Sequence, residues 1–125
     1  MARLDPDILH RVEELCDRVV SIAETLDRTD VSRRVIDQLV AAGTSIGANI
    51  FEADEAMSRA DFCKSLSIAV KEANETRFWL RLIARRKWIP AQRLQDLEHD
   101  VDAMRRILGA MISRTKNPAK SSSEL

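Results

Sequence analysis

The sequence predicts an all-α fold, an up-down-up-down antiparallel four-helix bundle. Three observations carry that prediction. Apolar residues recur at four-three spacing along four successive stretches, the period of one helix face. The three prolines, Pro6, Pro90 and Pro118, fall at the edges of those stretches. Strand signals are weak, because there is no tyrosine and β-branched residues seldom cluster. Helices of about 20–28 residues joined by short turns give antiparallel neighbours. At 1.5 Å per residue each is roughly 30–40 Å long.

The first helix opens at Asp5-Pro6. Asp can cap, and proline at the first helical position forfeits no hydrogen bond. Ile8, Val12, Leu15, Val19, Ile22 and Leu26 then form a seam, widened by Cys16, Val20 and Ala23. Arg28-Thr29-Asp30 interrupts it, and Thr29 or Asp30 is placed to cap the second helix. That helix has a seam of Val35, Leu39, Ala42, Ile46, Asn49 or Ile50, Ala53 and Met57. Its centre is small: Ala41, Ala42, Gly43, Thr44, Ser45, Gly47 and Ala48. Two interior glycines cost roughly 1 kcal/mol each relative to alanine. Close approach of a neighbouring backbone is the simplest compensation.

Ser58-Arg59-Ala60-Asp61 reads as a capping box for the third helix, with Asp where Glu is more usual. Phe62, Leu66, Ala69, Ala73, Thr76, Leu80 and Ile83 make its seam. A second apolar set, Ile68, Val70, Phe78, Trp79 and Leu82, lies off that seam, so this helix needs more than one packing partner. Arg86-Lys87 places positive charge at the negative end of its dipole. Pro90 starts the fourth helix, whose seam is Leu94, Leu97, Val101, Met104, Leu108 and Met111. Residues 1–116 form one domain by size. Residues 117–125 have no apolar periodicity and read as a disordered tail.

Composition narrows the function. The 125 residues hold 20 basic and 20 acidic side chains, so no global charge drives binding to nucleic acid or membrane. No stretch approaches the ~18 apolar residues that span a bilayer, and the start lacks a leader's apolar core. Cys16 and Cys63 stand alone beside apolar stripes and read as inert thiols in a reducing compartment, the cytoplasm. Neither His10 nor His99 belongs to a pair of Glu-x-x-His motifs, so a di-metal site is not supported, and no haem signature is present. No serine or cysteine has a histidine in register for nucleophilic catalysis. The sequence therefore points to a non-enzymatic protein, with no cofactor, metal or small-molecule substrate identified.

Two constellations remain. Asn49, Glu52, Glu72 and Glu75 are polar residues set among apolar positions. They read as a buried hydrogen-bond network fixing helix register, with Arg77 or Lys71 to pair the carboxylates. An acid–base pair and a face toward a neighbouring subunit are the other two readings. The second constellation is charge. Residues 1–30 carry four basic and eight acidic side chains. Residues 76–95 carry Arg77, Arg81, Arg85, Arg86, Lys87 and Arg93 and no acid, together with Phe78, Trp79 and Trp88. Basic residues interleaved with aromatics suit RNA or DNA, by phosphate contact and base stacking. In an up-down bundle the turn at 28–30 lies at the same end, so Asp27 and Asp30 are expected to offset part of this patch. The surplus apolar face of the third helix predicts a homo-oligomer.

Ser45-Ile46-Gly47-Ala48-Asn49-Ile50-Phe51-Glu52-Ala53 resembles the S-I-x-x-N-I-x-E-[GA] signature of the bacterial four-helix-bundle proteins called large-subunit ribosomal RNA intervening-sequence proteins. Asp61-Phe62, Leu66-Ser67-Ile68-Ala69, Lys71-Glu72-Ala73-Asn74-Glu75-Thr76 and Trp79-Leu80 continue the likeness, which covers roughly residues 30–112. Ala53 stands where glycine is common and Phe51 where a small residue is frequent. The resemblance implies a homo-oligomeric bundle, in known examples a ring of five, with no established catalysis. Accessory proteins of diversity-generating retroelements look similar in fold, and that likeness implies binding of nucleic acid and a reverse transcriptase. They are strongly basic, and this chain, with net charge zero, departs from them. A protein-only interaction module is a further alternative.

Overall fold

The structure, a computed structural model, describes residues 4–118. Four helices follow one another: α1 (Pro6–Asp27), α2 (Arg33–Asp54), α3 (Arg59–Arg85) and α4 (Ala91–Lys116). Each packs on its two neighbours in the cyclic order α1-α2-α3-α4, and the diagonal pairs make no backbone contact. The connections span residues 28–32, 55–58 and 86–90, a little longer than expected. The chain belongs to the all-α class, with an antiparallel four-helix bundle architecture. Of the expected tail, residues 117–125, only 117 and 118 are among the described residues, and 119–125 lie outside them.

The caps explain where the helices begin. Asp5 accepts a hydrogen bond from the Asp7 amide and Pro6 is the first helical residue, as the sequence implies. The Ser58 hydroxyl accepts from the Asp61 amide at 3.1 Å, satisfying one of the free donors at the start of α3. The start of α2 differs from expectation. Ser32 occupies the cap position without a side-chain bond, and the Thr29 hydroxyl instead donates back to the Leu26 carbonyl at 2.7 Å. Thr29 therefore closes α1 rather than opening α2.

The core is made by the four seams, with small shifts in phase. Ala23 replaces Ile22 as the fully buried position of α1, and Ile36 replaces Val35 in α2. A four-three pattern leaves one residue of freedom in which neighbour turns inward, and packing decides it. Met57 falls beyond the end of α2 and is 91% exposed, so it is not a core residue. Leu4 is buried before α1, where its amide donates to the Asp54 carboxylate at 2.8 Å. That bond ties the start of α1 to the end of α2, as antiparallel packing requires.

The small centre of α2 meets α1. A Cβ placed on Gly43 would stand 2.5 Å from a Val19 methyl, and one on Gly47 would stand 2.8 Å from the Cys16 sulfur. The two glycines are thus explained by close helix approach, although the atoms they admit belong to side chains and not to the neighbouring backbone. The Cys16 thiol donates to the Gly43 carbonyl at 3.2 Å. Burial pushes its pKa up, which keeps it a protonated, unreactive thiol. Cys63 is buried too, and neither cysteine is in a disulfide.

Candidate nucleic-acid interface

The six basic residues singled out between 77 and 93 divide into two groups in the fold. Arg77 and Arg81 belong to the seam between α3 and α4. A terminal nitrogen of Arg77 lies 3.3 Å from Asp102, and Arg81 Nε lies 4.0 Å from Glu98. Asp102 also receives Arg105 at 2.8 Å and Arg106 at 3.1 Å. The Arg105 hydrogen bond, then the nearby positive charges, holds the Asp102 carboxyl below the usual carboxylate range, against its partial desolvation. The Arg77 Nε is buried without a partner. Arg77 is occupied with packing and ion pairing, whereas Arg81 is largely exposed and only loosely approached by Glu98.

The second group caps one end of the bundle. Arg85, Arg86, Lys87 and Arg93 are exposed. No ion pair is made by any of them among the described residues. The Arg86 guanidinium lies 5.6 Å from the centroid of the Trp88 ring, a cation–π distance. α3 ends in a Schellman turn: the Lys87 amide donates to Ala84 at 3.0 Å and the Trp88 amide to Ile83 at 3.2 Å. Lys87 sits at the left-handed position of that turn, with φ 59°. Glycine is the usual residue there, since a side chain costs roughly 1–2 kcal/mol.

The expected neutralisation by Asp27 and Asp30 does not occur as ion pairing. Asp27 pairs with Arg33, which also approaches Asp37 at 3.7 Å. Asp27 is held in its own α1–α2 turn by Arg33, six residues on in sequence, while Asp30 makes no ion pair among the described residues. The same turn adds two exposed bases that the sequence reading overlooked, Arg28 and Arg34, and neither forms an ion pair among the described residues. The signal for them was available in the topology. An up-down bundle brings residues 28–34 to the end that holds residues 85–93, so both turns count toward one surface. Across those two segments there are seven basic side chains and one acidic one, Asp30.

The polar set of α2 and α3 does not join into one network within the chain. The Asn49 amide donates to the Ser45 carbonyl of its own helix at 2.9 Å. Glu52 and Glu75 are exposed, and Glu72 is half-buried. Partial burial and then the neighbouring Glu75 push the Glu72 pKa up, against Lys71. The set lies outside the buried floor of the α2–α3 pair, which is made by Ile46, Ile50, Ala69 and Ala73. Close by, the indole Nε1 of Trp79 is buried without a partner. Of the two histidines, His10 lies 2.8 Å from Glu14 one turn on, with both side chains exposed. Among the described residues no three metal-ligating side chains converge, and no helix is long and apolar enough to cross a membrane.

These features define a four-helix bundle with a single seam of small residues, a second seam of arginines, and one basic end. The comparisons with known proteins are specific. The pattern of the 23S rRNA-intervening sequence protein family matches residues 5–110. A solved protein of unknown function from Bacteroides thetaiotaomicron, assigned to the S23 ribosomal protein family, is similar over 84% of this chain and 97% of its own. It superposes with a TM-score of 0.80 at 36% identity. No curated protein matches. The chain belongs to the 23S rRNA-intervening sequence protein family, as its Ser45–Ala53 and Lys71–Thr76 motifs implied.

Proposed function

We propose that this protein is a non-enzymatic, self-assembling scaffold that contacts the phosphate backbone of nucleic acid through the basic end of its bundle. The observation that carries the reading is the cluster of exposed, unpaired bases contributed by two turns: Arg28, Arg34, Arg85, Arg86, Lys87 and Arg93. Phosphate contacts need positive groups that are not already neutralised, because binding energy comes from releasing the ligand's counterions. Trp88 beside Arg86 adds a half-exposed ring at the same place. Lys87 supports the reading as well. A lysine held where glycine fits better is an observed backbone outlier, and such outliers concentrate at working surfaces.

Assembly multiplies a weak site. Phe78 is 57% exposed and Ile68 is 37% exposed on one side of α3, apolar surface that a second copy would cover. The family resemblance implies a ring of five, in which five basic ends would act together. Unpaired Cys16 and Cys63 fit a reducing compartment, the cytoplasm. The test is fluorescence anisotropy of a labelled single-stranded RNA titrated with the intact protein at about 50 mM salt, where such contacts are strongest. Saturable binding that weakens as salt rises is expected. Absence of binding at low salt removes nucleic acid from the account.

A further inference from the structure

The outer side of the α1–α2 pair is a groove. One section, about 400 Å³, is floored by Val12, Cys16, Gly47, Ala48 and Phe51, with Glu13 and Asp17 on its rim. A second section, about 360 Å³, continues along Val20, Ala23, Val40 and Ala41, with Glu24 at its edge. Phe51 is 42% exposed. Glu13, Asp17 and Glu24 make no ion pair among the described residues. The groove is therefore apolar at its floor and acidic at its α1 rim.

The outer side of α3 has the opposite character. Ile68, Lys71, Phe78, Leu82 and Arg85 are spaced three, seven, four and three residues apart, which places them on one helix face. Phe78 and Ile68 stand out of the bundle, and a hollow of about 490 Å³ beside Phe78 is lined by Asn74, Arg81, Leu82 and Arg85. Lys71 and Arg85 have no ion pair among the described residues, and Arg81 has only its 4.0 Å approach to Glu98. This stripe is apolar along Ile68, Phe78 and Leu82 and basic along Lys71, Arg81 and Arg85, with the exposed Glu75 its one acid, seven residues from both Ile68 and Leu82.

We propose that the α3 stripe of one copy docks into the α1–α2 groove of a second copy, Phe78 entering over Gly47 and Ala48 and Lys71 and Arg81 facing Glu13, Asp17 and Glu24, with Arg85, at the end of the stripe, left to the basic end of the bundle. The inference rests on the assembly part of the reading above and specifies its interface. Charge complementarity selects the occupant: both halves of the contact are present in every chain, and the stripe, with three bases to the one acid Glu75, is on balance opposite in sign to the acidic rim of the groove. They cannot meet within one chain, because α1 and α3 are diagonal and make no backbone contact. Two different surfaces joining make a head-to-tail contact, which closes into a ring or continues as a filament. An interface of a surface with itself would instead bring like charges together.

Two surface variants test the pairing. Phe78→Glu damages the stripe and leaves the groove intact, while Ala48→Glu fills the groove and leaves the stripe intact. Both positions are exposed, and circular dichroism checks that each variant folds. Light scattering is expected to give an oligomer for the unaltered protein and a single 14.2 kDa chain for each variant alone. An equimolar mixture is expected to give a species of twice that mass and nothing larger, since the remaining surfaces are both damaged. If the unaltered protein is a single chain, the assembly reading and this interface fall together. If it is an oligomer and either variant remains one, assembly stands and these faces are wrong. If both variants are single chains and the mixture stays so, head-to-tail docking is overturned.

Discussion

The α1–α2 pair and the α3–α4 pair are both tightly packed antiparallel helices, yet they are held together differently. α1 and α2 approach through glycine: Gly43 admits Val19, Gly47 admits Cys16, and the Cys16 thiol reaches a carbonyl of the facing helix. α3 and α4 approach through charge, with Arg77, Arg105 and Arg106 gathered on Asp102 and Arg81 facing Glu98. The first pair exposes acids, Glu13, Asp17 and Glu24, and the second exposes bases, Arg85, Arg86, Lys87 and Arg93. A formal net charge of zero therefore hides a polarised molecule. Net charge governs solubility and long-range steering, whereas contact is decided by the local balance at each surface.

Alanine at glycine positions separates the two pairs most sharply. Gly43→Ala gains about 1 kcal/mol of helix propensity, but forces a Cβ to within 2.5 Å of Val19. Overpacking typically costs about 1–3 kcal/mol, and Val19 is fully buried with nowhere to move. Net destabilisation in urea unfolding is expected, largely relieved in the double variant with Val19→Ala. Gly109 of α4 has open space around it, so Gly109→Ala is expected to stabilise by about 0.5–1 kcal/mol. Equal effects at the two glycines would erase the distinction between the seams.

Lys87→Gly has an expected effect of about 1 kcal/mol in the other direction, because glycine relieves the left-handed backbone. Stability rises while RNA affinity falls, and the slope of log affinity against log salt loses about 0.7 for one phosphate contact to a single strand. A melting temperature that does not rise would show that the turn carries no strain.

The smallest effect concerns the ionic seam. Asp102 is held below the usual carboxylate range by Arg105 first. Its contribution is complete above the unfolded value of about 3.9 and is lost as pH falls through the lower folded value. Asp102→Asn is expected to lower the melting temperature slightly at pH 7. The gap should close in acid and narrow in 1 M salt. A gap that persists unchanged in acid would mean that Asp102 acts through packing and not through charge.

The helices were readable from the sequence because each seam repeats six or more times, and because Asp5-Pro6 and Ser58 are local signals. What escaped was whatever depends on two distant segments. Ile22 and Ala23 are equally good candidates for burial until α2 is placed beside them. The basic residues 77–93 looked like one patch along the chain, but Arg77 turns to Asp102 of α4 while Arg28 and Arg34 arrive from another turn. The Asn49, Glu52, Glu72 and Glu75 set looked like a network because its spacing suits facing helices. Within the chain, Asn49 bonds to its own helix and Glu52 and Glu75 are exposed. Gly43 and Gly47 marked a close approach correctly, and only the fold reveals that Val19 and Cys16 fill the space.

The central claim is that one end of the bundle is a phosphate-binding surface. Its most direct test is the salt dependence of single-stranded RNA binding for the intact protein and for a variant with Arg85, Arg86, Lys87 and Arg93 all replaced by alanine. These side chains are exposed and unpaired, so the variant keeps its fold. The account predicts weaker binding at every salt concentration and a slope reduced by about 3, near 0.7 for each of the four contacts removed. Unchanged affinity and slope would contradict it.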